Sequence, residues 1–306
     1  MKVGIIGAGF MGSMHANIIK GITSVSLGGI TAKTNARAGE IAARLGIPLY
    51  SNYREMLSDE SIAIMDICAP TAEHARLALE SLRAGKHVIL EFPAFTDWRE
   101  LEETALEAKR AKRNCAVAYY SRYQSQYKYL LDLAASGKIG KINSLYISRE
   151  SSSVFSSEDI LNNLVSQDID FAVSLLGRPK AYTAQSVSRD LAAVVLTYES
   201  SLAVIEGKTN MPESYPFTSR HLISGDTGSL ELLWRFTDRP VSQMRGFIQG
   251  QLIDLEAPDY DPYERELRVL LDGLVSGNVQ GMDIESIRDS AAITFACRDL
   301  KGVNEL

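Results

Sequence analysis

The chain opens on Lys2-Val3-Gly4-Ile5-Ile6, runs directly into Gly7-Ala8-Gly9-Phe10-Met11-Gly12, and continues as a helix-like stretch from Ser13 to Lys20. A strand, a glycine turn and a helix in that order leave few folds open. Gly7 suits the tight turn, Gly9 lets the backbone come close to a bound group, and Gly12 lets the helix lie against the strand. The free N–H groups at the start of that helix, at the positive end of its dipole, favour an anion. In this context the glycine spacing is the fingerprint of a dinucleotide site with the pyrophosphate on the helix. Gly7, Ala8, Gly9, Phe10, Met11 and Gly12 are therefore expected to line a cofactor.

Which cofactor follows from what is missing. An NAD-preferring turn usually carries Asp or Glu about 20 residues after the glycines, bonded to the ribose 2′-hydroxyl. Here that place reads Thr31-Ala32-Lys33-Thr34, with Arg37 close behind. With no carboxylate to repel a 2′-phosphate and two cations to attract one, NADP(H) is expected in preference to NAD(H), which remains possible. Ala32, Lys33, Thr34 and Arg37 would contact the cofactor. The alternative is that Lys33 and Arg37 are simply solvated charges. The charge distribution points the same way: the net charge is -6, yet residues 1–39 contain no Asp or Glu while Lys2, Lys20, Lys33 and Arg37 are basic.

The alternation continues as helix Asn35 to Leu45, strand Ile47 to Tyr50, helix Tyr53 to Leu57, strand Ile62 to Cys68, helix Ala72 to Arg83, strand His87 to Glu91, helix Asp97 to Lys112 and strand Ala116 to Tyr120. Short apolar runs between helical patterns read as a parallel sheet covered on both faces. Residues 1–120 are thus expected to be a doubly wound Rossmann domain. From 121 to 306 a helix, Tyr123 to Ala135, precedes period-two segments at Ile142 to Ser148, Ala181 to Ser188, Leu191 to Tyr198, Leu202 to Lys208, His221 to Ser224 and Ser229 to Trp234. Helices are expected at Ser157 to Leu176, Tyr263 to Val275 and Ile284 to Leu300. The predicted fold class is α/β, an N-terminal parallel sheet followed by an α+β domain with a mainly antiparallel sheet.

Composition bounds the setting. At 306 residues the chain is about twice the roughly 150-residue prior for one domain. The acidic balance offers no field for nucleic acid. Cys68, Cys115 and Cys297 form no C-x-x-C pair, so a reducing cytoplasm is expected. The apolar run Val3 to Ile6 is too short for a signal peptide, and no stretch approaches the roughly 18 apolar residues of a membrane span. His15, His74, His87 and His221 show no metal-ligand spacing, so no metal is predicted. Asp226-Thr227-Gly228-Ser229 reads as a turn between strands.

Cys68-Ala69-Pro70, His74, Gly85-Lys86-His87-Val88 and Glu91-x-Pro93 fall at the ends of the predicted strands or in the helices that follow. With Arg122-Tyr123, Gly137-Lys138-Ile139-Gly140 and Gly225-Asp226-Thr227-Gly228, they make the chain resemble the Gfo/Idh/MocA oxidoreductases over nearly all its length. The resemblance implies a Rossmann domain followed by an α/β domain whose open sheet mediates oligomers, here a dimer or tetramer. It implies hydride exchange between a nicotinamide and a sugar, cyclitol or related small polar molecule. It also places Ala69, Pro70, His74, Glu91 and Arg122 on the cofactor.

The resemblance breaks at the acid/base set. The family's strand ends Glu-Lys-Pro, but this chain has Glu91-Phe92-Pro93; where the family puts an Asp and a His four residues apart on a helix, the matching positions are Asn163 and Gln167. None of Phe92, Asn163 and Gln167 transfers a proton at neutral pH. Three readings stay open. In the first, a neighbouring group supplies the proton, with Asp170 and Tyr123 the leading candidates beside Tyr119, Tyr120, Asp168, Glu150 and His221. Helical spacing would put Asn163, Gln167 and Asp170 on one face. In the second, Glu91-Phe92-Pro93 echoes the Glu-Tyr-Pro of biliverdin reductase, and the substrate is a conjugated C=C or C=N compound packed on Phe92. In the third, the protein is a non-catalytic dinucleotide sensor.

Overall fold

The structure, a computed structural model, describes residues 1–152 and 159–300, apart from the side chain of Val187. The described residues form two compact units, one of residues 1–123 and 261–288, the other of residues 124–152, 159–260 and 289–300.

In the first unit, strands β1 (Lys2–Ile6), β2 (Ser26–Thr31), β3 (Ile62–Ile67), β4 (His87–Glu91) and β5 (Cys115–Ala118) lie in the order β2-β1-β3-β4-β5, every pairing parallel. Val3, Ile5, Ile64, Ile89 and Ala116 are fully buried, as expected for a parallel sheet covered on both faces. Helices α1 (Phe10–Lys20), α2 (Asn35–Leu45), α3 (Tyr53–Ser58), α4 (His74–Arg83) and α5 (Trp98–Ala111) connect the strands. The order reverses at β1, which pairs with β2 on one side and β3 on the other. Such a switch point opens a crevice beyond the carboxyl ends of the strands.

The predicted strand Ile47 to Tyr50 is a single bridge between Leu49 and Ile30. Pro48 has no N–H to donate to a ladder, and its carbonyl accepts from Ile30 N at 3.0 Å. Beyond Ala118 the chain turns as a 3-10 helix at Tyr120–Tyr123 rather than extending the strand to Tyr120.

The second unit begins with α6 (Ser125–Ala135) and β6 (Ile142–Ser152). The predicted helix Ser157 to Leu176 starts outside the described residues; its described part is a π turn at Leu161–Val165 leading into α7 (Ser166–Leu176). Strands β7 (Ala181–Ser188), β8 (Leu191–Thr197), β9 (Leu202–Met211), β10 (Phe217–Gly225), β11 (Ser229–Phe236), β12 (Pro240–Ile248) and β13 (Gln251–Leu255) follow. Among the described residues they form with β6 an eight-stranded sheet, ordered β13-β12-β11-β10-β6-β9-β8-β7. The β6–β9 pairing is parallel and the others are antiparallel. One face carries Leu145, Ile147, Ala203, Ile205, Ile223, Leu230 and Leu232 into the core. β12 and β13 were not expected from the sequence, because Pro240 to Gln243 are all exposed and show no apolar alternation. Their turn, Gln249-Gly250, has both φ angles positive, 53° and 79°, as tight hairpins require.

The chain then returns as α8 (Pro262–Ser276), whose Leu267, Leu270, Leu271 and Leu274 join the core of Val3, Ile5 and Ile64. Residues 261–288 therefore belong to the first unit rather than to a continuous second domain from 121. The apolar stripe at three- and four-residue steps on α8 supplies the reason. α9 (Arg288–Asp299) closes the described chain. No described helix is long and apolar enough to cross a membrane.

Candidate nucleotide-binding site

Gly7 has φ +117°, and its N–H donates to Thr31 O at 2.8 Å. A Cβ there would collide with the Cys68 carbonyl, and one on Gly12 with the Gly7 carbonyl. These two positions admit glycine because the turn and the helix press against the ends of β1 and β3. Gly9 differs: nothing lies within 4 Å of where its Cβ would be. It is the N-cap of α1, without a side-chain cap or an acidic residue in the first turn. The helix start thus faces open space with unsatisfied N–H groups beside Gly9 and the exposed Phe10 and half-buried Met11. A nucleotide pyrophosphate fits this cradle.

At the end of β2, Thr31 is buried and Ala32 half-buried, while Lys33, Thr34 and Arg37 are exposed. Asn35 sets the turn: its Oδ1 accepts from Ala32 N at 3.2 Å and its Nδ2 donates to Ser51 O at 3.2 Å. The positive segment is not free of acid in space, because Glu73, in the 3-10 turn before α4, lies within electrostatic reach of Lys33. Arg76 pairs with Glu73 and holds its carboxyl below the usual range, so part of that opposing charge is compensated.

Ala69 and Pro70 follow β3. The Ala69 carbonyl lies 2.7 Å from His74 Nε2, a ring that is 1% exposed. Burial lowers the His74 pKa despite that contact. His74 is thus a neutral staple beneath the 69–70 turn rather than a group presented to a ligand. Arg122 is likewise engaged: it donates to Ser286 Oγ and Ser286 O, each at 2.9 Å, and to Gly281 O at 3.2 Å. Its guanidinium binds the 281–286 turn instead of standing free for a phosphate.

Glu91 ends β4. Its Oε1 accepts from Phe92 N at 3.1 Å, and Oε2 stands 3.0 Å from His15 Nε2. The Phe92–Pro93 peptide is cis, and the Phe92 ring packs edge-on against Tyr119 at 4.7 Å between centroids. Burial, followed by the charge of Glu266, pushes the Tyr123 hydroxyl up to about 12. Tyr120 and Tyr263 stack at 4.3 Å.

His15 was not among the predicted site residues, yet it is fully buried at the centre of this end of the sheet. Its Nδ1 lies 2.9 Å from Asp66 Oδ2 and 3.3 Å from Cys68 Sγ. Burial opposes charge on the ring, but the Asp66 carboxylate and the Cys68 sulfur hold its pKa well above the usual value. Burial, then Asp66, pushes the Cys68 thiol up to about 12. The available signal was Asp66, a charged residue inside an otherwise apolar strand, Ile62–Ile67. His15, Cys68 and Glu91 offer ligand atoms within 4.8 Å of one another, a grouping that no sequence spacing revealed. Both His15 nitrogens already face carboxylates, so a cation at either one must part an ion pair.

In the second unit, Asn163 and Gln167 are half-buried, four residues apart, while every other residue from 161 to 170 is buried. Asp170 does not share their accessible strip: it is 3% exposed and accepts from Ser290 Oγ at 2.8 Å. The π turn at 161–165 breaks the regular helical register on which the one-face expectation rested. Asp168 is fully buried and doubly bonded to Arg149, at 2.6 and 2.8 Å. His221 lies 3.7 Å from Asp168, and burial pushes its pKa down to about 4. Glu150 pairs with Arg220 at 2.8 Å. Each of these groups is engaged with a neighbour inside the unit.

The fold and its glycine cradle define a Rossmann nucleotide-binding unit joined to an α+β unit. Residues 1–119 match the oxidoreductase family with an NAD-binding Rossmann fold. Over those residues the first unit is similar to the Gfo/Idh/MocA oxidoreductases. It is 28% identical over 148 residues to myo-inositol 2-dehydrogenase of Thermotoga maritima, covering 48% of this chain and 44% of that one. It is 24% identical to inositol 2-dehydrogenase 2 of Saccharopolyspora erythraea, covering 97% and 92%. Its fold is similar to KijD10, a 3-ketoreductase from Actinomadura kijaniata in complex with NADP and TDP-benzene: TM-score 0.85, 19% identity, 97% of each chain.

Proposed function

We propose that the protein is an NAD(P)-dependent oxidoreductase that moves hydride between the nicotinamide, NADP(H) by preference, and a small polar substrate such as a sugar or cyclitol. The observation that carries this reading is the pairing of an uncapped glycine helix with a β2 end that exposes Lys33 and Arg37 and carries no carboxylate of its own. The names of the relatives, inositol dehydrogenases among them, support the substrate class. Gly7 to Gly12 hold the pyrophosphate, Lys33 and Arg37 the 2′-phosphate, and Ala69, Pro70 and Glu91 border the nicotinamide half. When bound, the cofactor accepts or returns a hydride. Asn163 and Gln167, half-buried on the second unit, are groups that hydrogen-bond without transferring a proton, and Tyr123 holds its proton at neutral pH. Fluorescence titration tests the cofactor preference: NADPH should bind at least roughly tenfold more tightly than NADH, about 1.4 kcal/mol. Equal affinities would overturn the preference. A panel of sugars and cyclitols, followed by nicotinamide absorbance, tests the reaction.

A second reading is favoured by the Phe92–Tyr119 pair. An aromatic surface at the end of β4 suits a flat conjugated C=C or C=N substrate, whose reduction can draw its proton from water. Turnover of such compounds but not of polyols would select it.

We place the protein in a reducing cytoplasm on its three free cysteines, and read it as a homo-oligomer through the second unit's sheet. Tyr146, Leu222, Phe247 and Leu252 are all at least 38% exposed, and their register puts them on one face of that sheet. Glu231, Arg245 and Asp254 stand between them on the same face, a mixed apolar and charged surface of the composition that subunit interfaces have, and light scattering on the purified protein gives its mass.

A further inference from the structure

Five ionisable side chains of the first unit meet at the carboxyl ends of β3 and β4: His15 on α1, Asp66 and Cys68 at and just past the end of β3, Glu91 on β4 and Glu266 on α8. His15, Asp66, Glu91 and Glu266 are buried. One imidazole faces three carboxyl groups, so even with the ring protonated the cluster is anionic unless two of the acids hold protons. Neither oxygen of Glu266 has a hydrogen-bond partner among the described residues, whereas Glu91 Oε2 faces His15 Nε2 at 3.0 Å. A buried acid without a partner is costly, and a glutamine or leucine would pack the same space more cheaply. The arrangement makes sense if a positive charge comes close.

The fold supplies that charge. The pyrophosphate cradle lies at the switch point beside β1, and the end of β2 takes the adenosine side, so the other half of the dinucleotide extends over the ends of β3 and β4. That half is cationic when oxidised and neutral when reduced.

We propose, resting on the nucleotide-binding reading above, that the His15–Asp66–Glu91–Glu266 cluster is an anionic floor that holds the oxidised nicotinamide more tightly than the reduced one. Glu266 gives up a proton when the cation binds and regains it when the ring is reduced. The count closes for oxidation of a secondary alcohol: the carbon-bound hydrogen leaves with its electron pair for the nicotinamide, the hydroxyl loses one proton, and the cluster ends with one proton more. Burial, then the charges of Glu91 and Asp66, raise the Glu266 pKa, while His15 acts the other way. A nearby cation adds to the effect of His15. The remaining groups around the cluster are Cys68, kept as a thiol, and the Tyr123 and Tyr263 hydroxyls, kept protonated chiefly by burial. Tyr120 and Asp261 also act on Tyr263, Arg122 and Arg265 act on Tyr123, and His74 lies within reach of Glu91.

The test is calorimetric titration of the intact protein with NADP+ and NADPH from roughly pH 6 to roughly pH 9, in buffers of different ionisation enthalpy. Both nucleotides carry the same 2′-phosphate, so its titration cancels in the ratio of their dissociation constants. The preference for NADP+ should rise with pH, by up to about tenfold per unit while Glu266 ionises. Binding of NADP+ should release up to one proton more than binding of NADPH does at the same pH. In Glu266→Gln the ratio should be flat and the proton release lost. A flat ratio without proton release in the wild type, or an unchanged pH dependence in the variant, overturns the proposal. If the variant does not fold, the wild-type proton count decides alone. If neither nucleotide binds measurably, the nucleotide reading falls and takes the proposal with it, an outcome distinct from a flat ratio at measurable affinity.

Discussion

His15 Nδ1 meets Asp66 Oδ2 at 2.9 Å with both side chains fully buried, tying the glycine helix to the neighbouring strand. Because the ring's other nitrogen faces Glu91, one side chain links α1, β3 and β4, the three elements that border the cofactor crevice.

Replacing His15 with alanine strands two buried carboxylates and should cost about 3–5 kcal/mol, read as a lowered denaturation midpoint. The sign of its pH dependence is fixed. The folded pKa lies above the ordinary 6.5, so the contribution is full below that value and is lost as pH rises through the folded pKa. Wild-type stability should therefore fall on the alkaline side, by up to about 1.4 kcal/mol per pH unit from this group. His15→Gln should flatten that part of the profile.

Gly9→Ala and Gly12→Ala should separate binding from folding. An added methyl at Gly9 meets nothing within 4 Å, so stability should change by less than about 1 kcal/mol. Nucleotide affinity should nevertheless drop, because the methyl enters the pyrophosphate cradle. Gly12→Ala collides with the Gly7 carbonyl and should lower both stability and affinity.

Lys33→Glu should invert the cofactor preference. A carboxylate there repels a 2′-phosphate and can accept from a 2′-hydroxyl, so NADPH affinity should fall by roughly 10- to 100-fold, about 1.4 to 2.8 kcal/mol. NADH affinity should hold or improve. Arg37→Ala should weaken NADPH alone. Paired titrations with the two reduced nucleotides measure both.

Asp168→Ala should act on stability and leave nucleotide affinity unchanged. It deserts a fully engaged, buried Arg149, at a cost of about 3–5 kcal/mol. Unchanged stability would mean that Asp168 is not the structural counterion its two bonds to Arg149 describe.

Much of the first unit was legible in the sequence because its determinants are local. The glycine spacing, the buried runs and the helix stops each involve a few neighbouring residues, and the Rossmann class follows from their order. Asn35 to Leu45 and His87 to Glu91 form the expected elements to the residue. Ile47 to Tyr50 was misread because Pro48 removes a ladder donor, and β12 and β13 were hidden by a largely exposed strand. The second unit's acids looked available in the sequence, where Asp168, Asp170, Glu150 and His221 are simply polar residues. The fold gives each a partner.

By itself the sequence determined the cradle: Gly7 needs a positive φ, and the first 39 residues exclude a carboxylate from the end of β2. Tertiary structure decided which charges remain available. It brought Glu73 toward Lys33, engaged Arg122 and His74 with backbone, and turned Asp170 inward. It also gathered His15, Asp66, Glu91 and Glu266 from four separate elements. The physical reason is one of range. Backbone geometry follows from adjacent residues, whereas the energy of a charge depends on burial and partners that only the folded chain assembles.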